Sequence, residues 1–384
     1  MNVVERISNK KVLHWFRKDL RVFDHEVLSN HNRTHHLTCF YIHHSRYTTY
    51  HPLGFPFISD LRKSFLEQAL TELQDNLHNL EIELIIFNSN EDFEKYEFDE
   101  VDILTYQKQF GSEELLEEDQ VLGNFTTEFH SFNSFTLIEE TKLPFDVNAV
   151  PNTFATFRKK IEERPIYKSP TKDNNIPKVQ KSPFAFYGGS KSALSRLQSY
   201  FEGNLPSTYK KTRNQLLGTQ FSSRLSAWLA IGNITPRYVL ALINQYEHQV
   251  CKNDSTYWLK FELLWRDFFQ FQLIKYNTQF FKLGGIKEKV IQPLKNRQKF
   301  WQWANGKTGD DFVDANMIEL NSTGWMSNRG RQNTASYLVH DMNLDWRWGA
   351  YYFESKLIDY DVASNWGNWQ YIAGVGNDPR PFRK

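Results

Sequence analysis

The stretch 321–380, NSTGWMSNRGRQNTASYLVHDMNLDWRWGAYYFESKLIDYDVASNWGNWQYIAGVGNDPR, constrains the fold more than any other part of the chain. Five of the protein's 11 Trp fall in it. Apolar residues recur at three- and four-residue spacing in SNRGRQNTASYLVHDM and WGAYYFESKLI, which predicts helices there. After Leu357 the pattern breaks into the Gly/Asn/Asp-rich run IDYDVASNWGNWQYIAGVG, which predicts turns and short helical pieces. Taken singly, each Trp reads as core, because aromatic rings bury large areas. Such a run is nonetheless an awkward core filler. Two carboxylates (Asp359, Asp361), an Asn, two Trp and close-approach glycines together suit a wall around a large, flat, polar ligand.

The N-terminal part follows a different period. Lys11–Phe16 (KVLHWF) and 38–42 (TCFYI) are short apolar strands, 61–80 repeats apolar residues at helical spacing, and Glu83–Phe87 and 101–105 return to strand. Strand and helix alternate with short connections, so residues 1–140 are expected to form a doubly wound, Rossmann-like parallel α/β domain. Its ligands should sit at the C-terminal strand ends. Residues 141–189 are expected to be an interdomain linker; within them, ERPIYKSPTKDNNIPKVQKSPFAFYGG has four Pro and few aliphatics. From Ser190 to Lys384 every strong signal is helical, so the second domain, 190–384, is all-α.

Composition narrows the class. Hydrophobic residues at 40% and charged residues at 24% suit a globular chain. Two Cys, 39 and 251, exclude a disulfide framework and fit a reducing cytoplasm. No apolar run is long enough to span a bilayer, and MNVVERISNKK is not a secretory signal. A cytoplasmic monomer is expected, with no membrane partner and no metal. The net charge of +1 hides an asymmetry: residues 1–200 carry 23 Lys and Arg against 29 Asp and Glu, and residues 201–384 carry 23 against 16. A basic half beside an acidic one is what a polyanion-binding face would produce.

Two further constellations carry chemistry. The run from Tyr209 through Gly218 leads into Ser222, Ser223, Arg224, Leu225 and Ser226. Hydroxyls beside a turn at a helix start can hold a phosphate, although Ser222 equally suits an N-cap. In WLKFELLWRDFF, Glu262 shares a helical face with Trp265 or Arg266, an arrangement that a plain i,i+4 salt bridge beside a core Trp would also give.

The order N-R-x-R, then W-R, then D-x-D-x-x-x-N-x-x-x-W resembles the flavin-binding half of the photolyase/cryptochrome family. NRGRQ, DYDVASNWGNWQY and AGVGNDPR are similar to its DASH-type branch, and WFRKDLRVFD resembles the family's N-terminal signature, with His25 where the family usually has Asn. The resemblance covers nearly the whole chain and implies FAD. Tyr209 and Ser222 through Ser226 then match the pyrophosphate cradle. Arg266, Asn328, Arg331, Asp359 and Asp361 match other flavin contacts, and Asn365 falls at the position facing N5. Glu262 and Trp265 look like substrate-pocket groups. Asn328, Gln332 and Tyr371 also match pocket positions, and the absence of two pocket His there argues against repair of the (6-4) lesion. Trp369 and Trp346 match the first two members of an electron relay whose third position aligns near Pro293, which leaves Trp301, Trp303 or Trp348 as substitutes.

The resemblance implies blue-light-driven repair of cyclobutane pyrimidine dimers, chiefly in single-stranded DNA, by electron transfer from excited FADH⁻. The alternative is a blue-light-sensing photoreceptor without repair activity. It also implies a 5,10-methenyltetrahydrofolate antenna between the domains. Segment 143–159 and loop 105–115 resemble the family's antenna-side segments, but Gln109 replaces the expected Glu, which predicts weakened pterin binding.

Overall fold

The computed structural model describes residues 3–171, 175–179 and 184–378. Strands β1 (Lys11–Phe16), β2 (His36–Ile42), β3 (Glu83–Phe87), β4 (Ile103–Gln107) and β5 (Glu128–Phe132) form one parallel sheet in the order β3-β2-β1-β4-β5. The central strands are near-continuous apolar runs: β1 exposes only Lys11, and β4 is buried throughout. A parallel sheet needs this, because its crossovers cover both faces. Helix α1 (Asp60–His78) supplies one cover through Leu66, Ala69, Leu70, Leu73 and Leu77. Its start is set by Ser59, whose hydroxyl accepts from the Arg62 backbone N–H. Strand order reverses between β1 and β4, so the crevice at their C-terminal ends is the switch point where such sheets bind ligands. The expected α/β class is what the structure has.

From Ser190 onward the described helices and strands are all helical. The stretch expected as linker is more than a strap. It contains helix α2 (Phe154–Glu163), whose Phe154, Phe157 and Ile161 are buried in the large core of the second domain. The longest element, α3 (Asp254–Tyr276), begins at Asn253, whose side chain accepts from Ser255 and Thr256 N–H at 2.8 and 3.1 Å. At 23 residues it spans about 35 Å. Four further helices surround it or close the site: α4 (Arg297–Ala304), α5 (Asn328–Ser336), α6 (Trp346–Lys356) and α7 (Val362–Ile372).

Buried charges join the two domains. The Asp24 carboxylate, at a backbone φ of +47°, accepts from Arg237 Nε at 2.9 Å, from the Thr235 hydroxyl and from Thr171 N–H at 2.7 Å. Arg21 donates across the junction to the Gly232 carbonyl at 3.0 Å. Removing one partner of Asp24–Arg237 would strand the other charge, a loss of about 3–5 kcal/mol. Asp267 of α3 reaches back to accept from Leu137 and Ile138 N–H at 2.9 and 3.2 Å. Burial pushes its carboxyl up to about 7, against the lowering pull of those amides and of Arg266.

His25 stabilises the same junction. Its Nδ1 accepts from Val27 and Leu28 N–H, so its proton sits on Nε2, which donates to Asp19 Oδ2 at 3.0 Å. His14 Nε2 lies 3.2 Å from the same oxygen. The ligand atoms of His14, Asp19 and His25 lie within 4.8 Å of one another, but a protonated Nε2 offers no lone pair. The trio is a hydrogen-bonded lock on the β1 turn.

Candidate flavin and substrate site

A cavity of about 320 Å³ opens in the helical domain. It is lined by Tyr209, Ser222, Ser223, Arg224, Leu225, Ser226, Glu262, Trp265, Arg266, Asn328, Arg331, Asp359 and Asp361. An adjoining hollow shares Asn328, Arg331, Asp359 and Asp361 and adds Asn365 and Trp369. Residues separated by up to 160 positions thus surround one space. Gln332 is exposed, Tyr371 is half-buried, and neither belongs to the lining.

The Ser222–Ser226 loop is shaped by Arg196, which donates to the Ser223, Ser222 and Thr219 carbonyls at 2.8–2.9 Å. Arg224 takes a left-handed φ of +55° and lays its guanidinium 4.0 Å over the Trp325 ring. The helix begins only at Ser226, after Leu225, so Ser222 is not its N-cap.

On the opposite wall, Asp359 Oδ2 accepts from Ser226 Oγ at 2.7 Å and Arg331 Nη2 at 2.8 Å. Asp361 caps α7 by accepting from Ser364 N–H at 2.8 Å, and Gln270 of α3 donates to it at 2.9 Å. The Asn365 amide nitrogen donates to the Ala350 carbonyl at 3.0 Å, which turns its oxygen into the available acceptor. Gly349 in α6 has no room for a side chain, since a Cβ there would collide with the Trp369 indole.

Glu262 is paired with Arg213, not with Arg266, and Arg213 in turn lies 4.5 Å over Trp258. Burial raises the Glu262 pKa, and Arg213 opposes that rise. Arg266 donates to the Phe135 and Leu229 carbonyls; burial lowers its pKa. The i,i+4 pair is therefore not formed. Trp265 stacks on Phe154 of α2, with centroids 3.8 Å apart and planes 13° from parallel.

Two atoms in the cavity wall argue for a polar ligand. Asp359 Oδ1 and Arg224 Nε are buried with no hydrogen-bond partner. An acceptor on one side and a cationic donor on the other match the ribityl hydroxyls and pyrophosphate of FAD, so the residues fit that group. Sequence reasoning passed over Arg196, Arg213 and Gln270. Gln270 lies eight residues beyond Glu262, about two turns along the same helix, and that spacing was the available signal.

A second cavity, of about 270 Å³, lies between the domains at the sheet's switch point. Lining it are Arg17, Lys18, Arg46, Arg62, Gln109, Glu113, Glu114, Glu117 and, from the helical domain, Tyr351, Glu354, Tyr360 and Trp366. Its charges pair internally: Lys18 with Glu114, Arg17 with Glu118, and Arg46 with Glu113 and Glu354. Gln109 Nε2 is buried there without a partner. Burial pushes Glu117 up to about 7, despite nearby Arg17. Loop 105–115 reaches this cavity; segment 143–159 does not line it, because α2 is packed on Trp265 instead.

Comparisons with known proteins agree with this geometry. Residues 12–177 match the DNA photolyase family, and residues 258–384 match the FAD-binding domain of DNA photolyase. The chain is 39% identical to cryptochrome DASH of Gloeobacter violaceus over 98% of its own length and 82% of that protein's. To cryptochrome DASH of Xenopus laevis it is 37% identical, over 98% of this chain and 79% of the other. The crystal structure of the Synechocystis sp. PCC6803 cryptochrome superposes with a TM-score of 0.87 at 37% identity, covering 97% of this chain and 84% of that one. An archaeal photolyase from Sulfolobus tokodaii, solved with two FAD molecules, gives a TM-score of 0.75 at 26% identity, over 97% and 85%. A Rossmann-like sheet, a helical FAD-binding domain and relatives of this closeness over nearly the whole chain place the protein in the photolyase/cryptochrome family, beside the DASH-type cryptochromes.

Proposed function

We propose that the protein uses blue light to repair cyclobutane pyrimidine dimers, chiefly in single-stranded DNA. The observation that carries this reading is that Glu262 and Trp265 line the same cavity as Asp359 and Asp361, so a dimer and a flavin would share one space. Fully reduced FAD, held by Asp359, Arg331 and Ser226, would supply light-driven electron donation to the dimer.

The side chains then have separable tasks. Trp265 offers one ring face to a pyrimidine, its other face being taken by Phe154. Glu262, oriented by Arg213, pairs with the polar edge of the base. Asn328 joins them in the lining, whereas Gln332 and Tyr371, outside it, would meet the DNA only beyond the cavity. Asp359, Arg331 and Ser226 hold the flavin's polar chain, and Asn365 presents an oxygen to N5–H without delivering a proton. Proximity and charge placement carry the rate, with little acid–base work.

Strand preference follows from the stacking surface. Base extrusion from a duplex costs a few kcal/mol. A single platform, half covered by Phe154, offsets less of that cost than two would. A single strand does not impose it. Trp369, in the same hollow as Asn365, would re-reduce oxidised flavin in light. The interdomain cavity would hold a reduced-folate antenna, bound weakly because Gln109 stands where a carboxylate would accept from the pterin's N–H groups.

The test uses protein carrying reduced FAD, exposed to blue light with matched single- and double-stranded oligonucleotides, each bearing one thymine dimer. Loss of the dimer from the single strand, with little from the duplex and none in the dark, is expected. Absence of repair on both, with FAD bound and photoreducible, would replace this reading with a light sensor.

A further inference from the structure

Trp369 is the buried indole beside the flavin-side hollow, and its oxidation in light leaves a hole that must be refilled. The resemblance to the family puts the relay's outermost Trp near Pro293, a ring that carries no hole. Leu294 is bridged to Leu344, with its N–H on the Asn343 carbonyl at 2.7 Å, so this proline does sit beside the turn leading to Trp346. The surface end of that path is missing.

Two aromatic branches leave the region. Trp346, 1% exposed, meets Trp366 at 5.6 Å between ring centroids. Trp366 in turn touches Tyr351 at 4.9 Å and Phe281 at 5.0 Å, and all three of these rings line the interdomain cavity. This branch therefore ends inside the protein, at the ligand cavity.

The other branch starts on Trp369 itself. Trp303 of α4 packs edge-on against it, centroids 6.2 Å apart, and is fully buried. Phe300, also fully buried, lies 6.0 Å from Trp303, 5.5 Å from Trp301 and 5.8 Å from Trp348. Trp301 and Trp348 are both partly exposed. Trp303 Nε1–H donates at 2.9 Å to the Thr334 carbonyl, which cannot take up the proton of an oxidised indole, so a hole on Trp303 stays mobile. At Trp301 or Trp348, water can take it.

We propose that the hole leaves through Trp303 to the Trp301/Trp348 pair, replacing the exit lost at Pro293. Trp369 gives one electron to the photoexcited isoalloxazine. Trp303 refills Trp369, and Trp301 or Trp348 refills Trp303. The exposed indole radical cation loses its N–H proton to water, and a thiol in solution supplies the electron and proton that restore it. The proposal rests on the flavin reading above.

The experiment measures light-driven FAD reduction with excess dithiothreitol, after FAD content and absorption spectrum have been matched between wild type and variants. Trp303→Phe, and separately the double variant Trp301→Phe/Trp348→Phe, should slow reduction at least about tenfold. Trp366→Phe should slow it less. The double variant guards against a folding defect from the buried Trp303, because its sites are partly exposed. Illumination in air without thiol gives a second readout: peptide mass spectrometry should find oxygenated indole at Trp301 or Trp348. Unchanged reduction in both the Trp303 and the double variants, or oxidation marks confined to Trp366 and Tyr351, would overturn the exit while leaving the flavin site intact. Wild-type protein that fails to take up FAD on reconstitution would overturn both.

Discussion

The protein's two cavities are built by different means. The flavin cavity is made by one domain from helix starts, caps and an ordered loop, and two of its lining residues keep unpaired polar atoms, Asp359 Oδ1 and Arg224 Nε. The interdomain cavity is made by two domains, and most of its charged side chains are already paired with one another. A ligand in the first meets unsatisfied partners. A ligand in the second must compete with Arg46–Glu113 and Lys18–Glu114, so its binding is expected to be weaker and more easily tuned by single residues.

The largest effect should come from Trp369→Phe. Light-driven FAD reduction is expected to fall at least about a hundredfold, with FAD still bound, because the proposed function makes this buried indole of the flavin-side hollow the first donor. Wild-type-like photoreduction would remove electron supply from the list of differences between the cavities.

Asp359→Ala comes next. It deletes the acceptor of Ser226 and Arg331 together with the unpaired Oδ1. Charged hydrogen bonds contribute about 1.5–3 kcal/mol, so FAD retention through gel filtration should weaken roughly 10- to 100-fold. If the same change also released an antenna from the interdomain cavity, the two sites would not be independent.

Gln109→Glu probes the second cavity alone. It removes the partnerless Nε2 and supplies a carboxylate for the N–H groups of a pterin, which should raise folate occupancy several-fold. Folate released on denaturation is the measurement; lower occupancy than wild type would show that the Gln amide already suits the ligand.

The smallest effect concerns the contact of Asp267 with the Leu137 and Ile138 amides. Asp267 has its pKa raised by burial to about 7, so the folded state holds its proton more tightly than the unfolded chain. Its contribution to stability is complete at low pH and is lost as pH rises through about 7. Asp267→Asn should therefore flatten the fall of Tm between pH 5 and pH 8 by a few degrees. An unaltered slope would mean that Asp267 is ionised throughout and held by the Leu137 and Ile138 amides.

Local pattern made much of this legible. Alternation of strands and helices located the parallel sheet, helical periodicity located α5 and α6, and DYDVASNWGNWQY placed Asp359, Asp361 and Asn365 together, but the run expected as turns and short helical pieces holds the continuous 11-residue α7. Those signals survive in a linear chain because they depend on neighbours within one or two turns. The partner of Glu262 did not. Arg213 lies 49 residues away on another helix, while the nearer Arg266 was the obvious candidate by spacing. Helix α2 was hidden in a polar, Pro-bearing stretch, because only three of its residues face the core.

The sequence by itself determined the fold class, the flavin-type wall and the family, since periodicity, capping residues and motif order are properties of the chain. Only the tertiary structure decided which side chains meet: that Arg213 pairs with Glu262, that Phe154 covers one face of Trp265, that Asn365 is turned by the Ala350 carbonyl, and that Trp303 touches Trp369. Those pairings arise from packing between helices distant in sequence, where contact depends on crossing angle and side-chain volume and not on spacing along the chain.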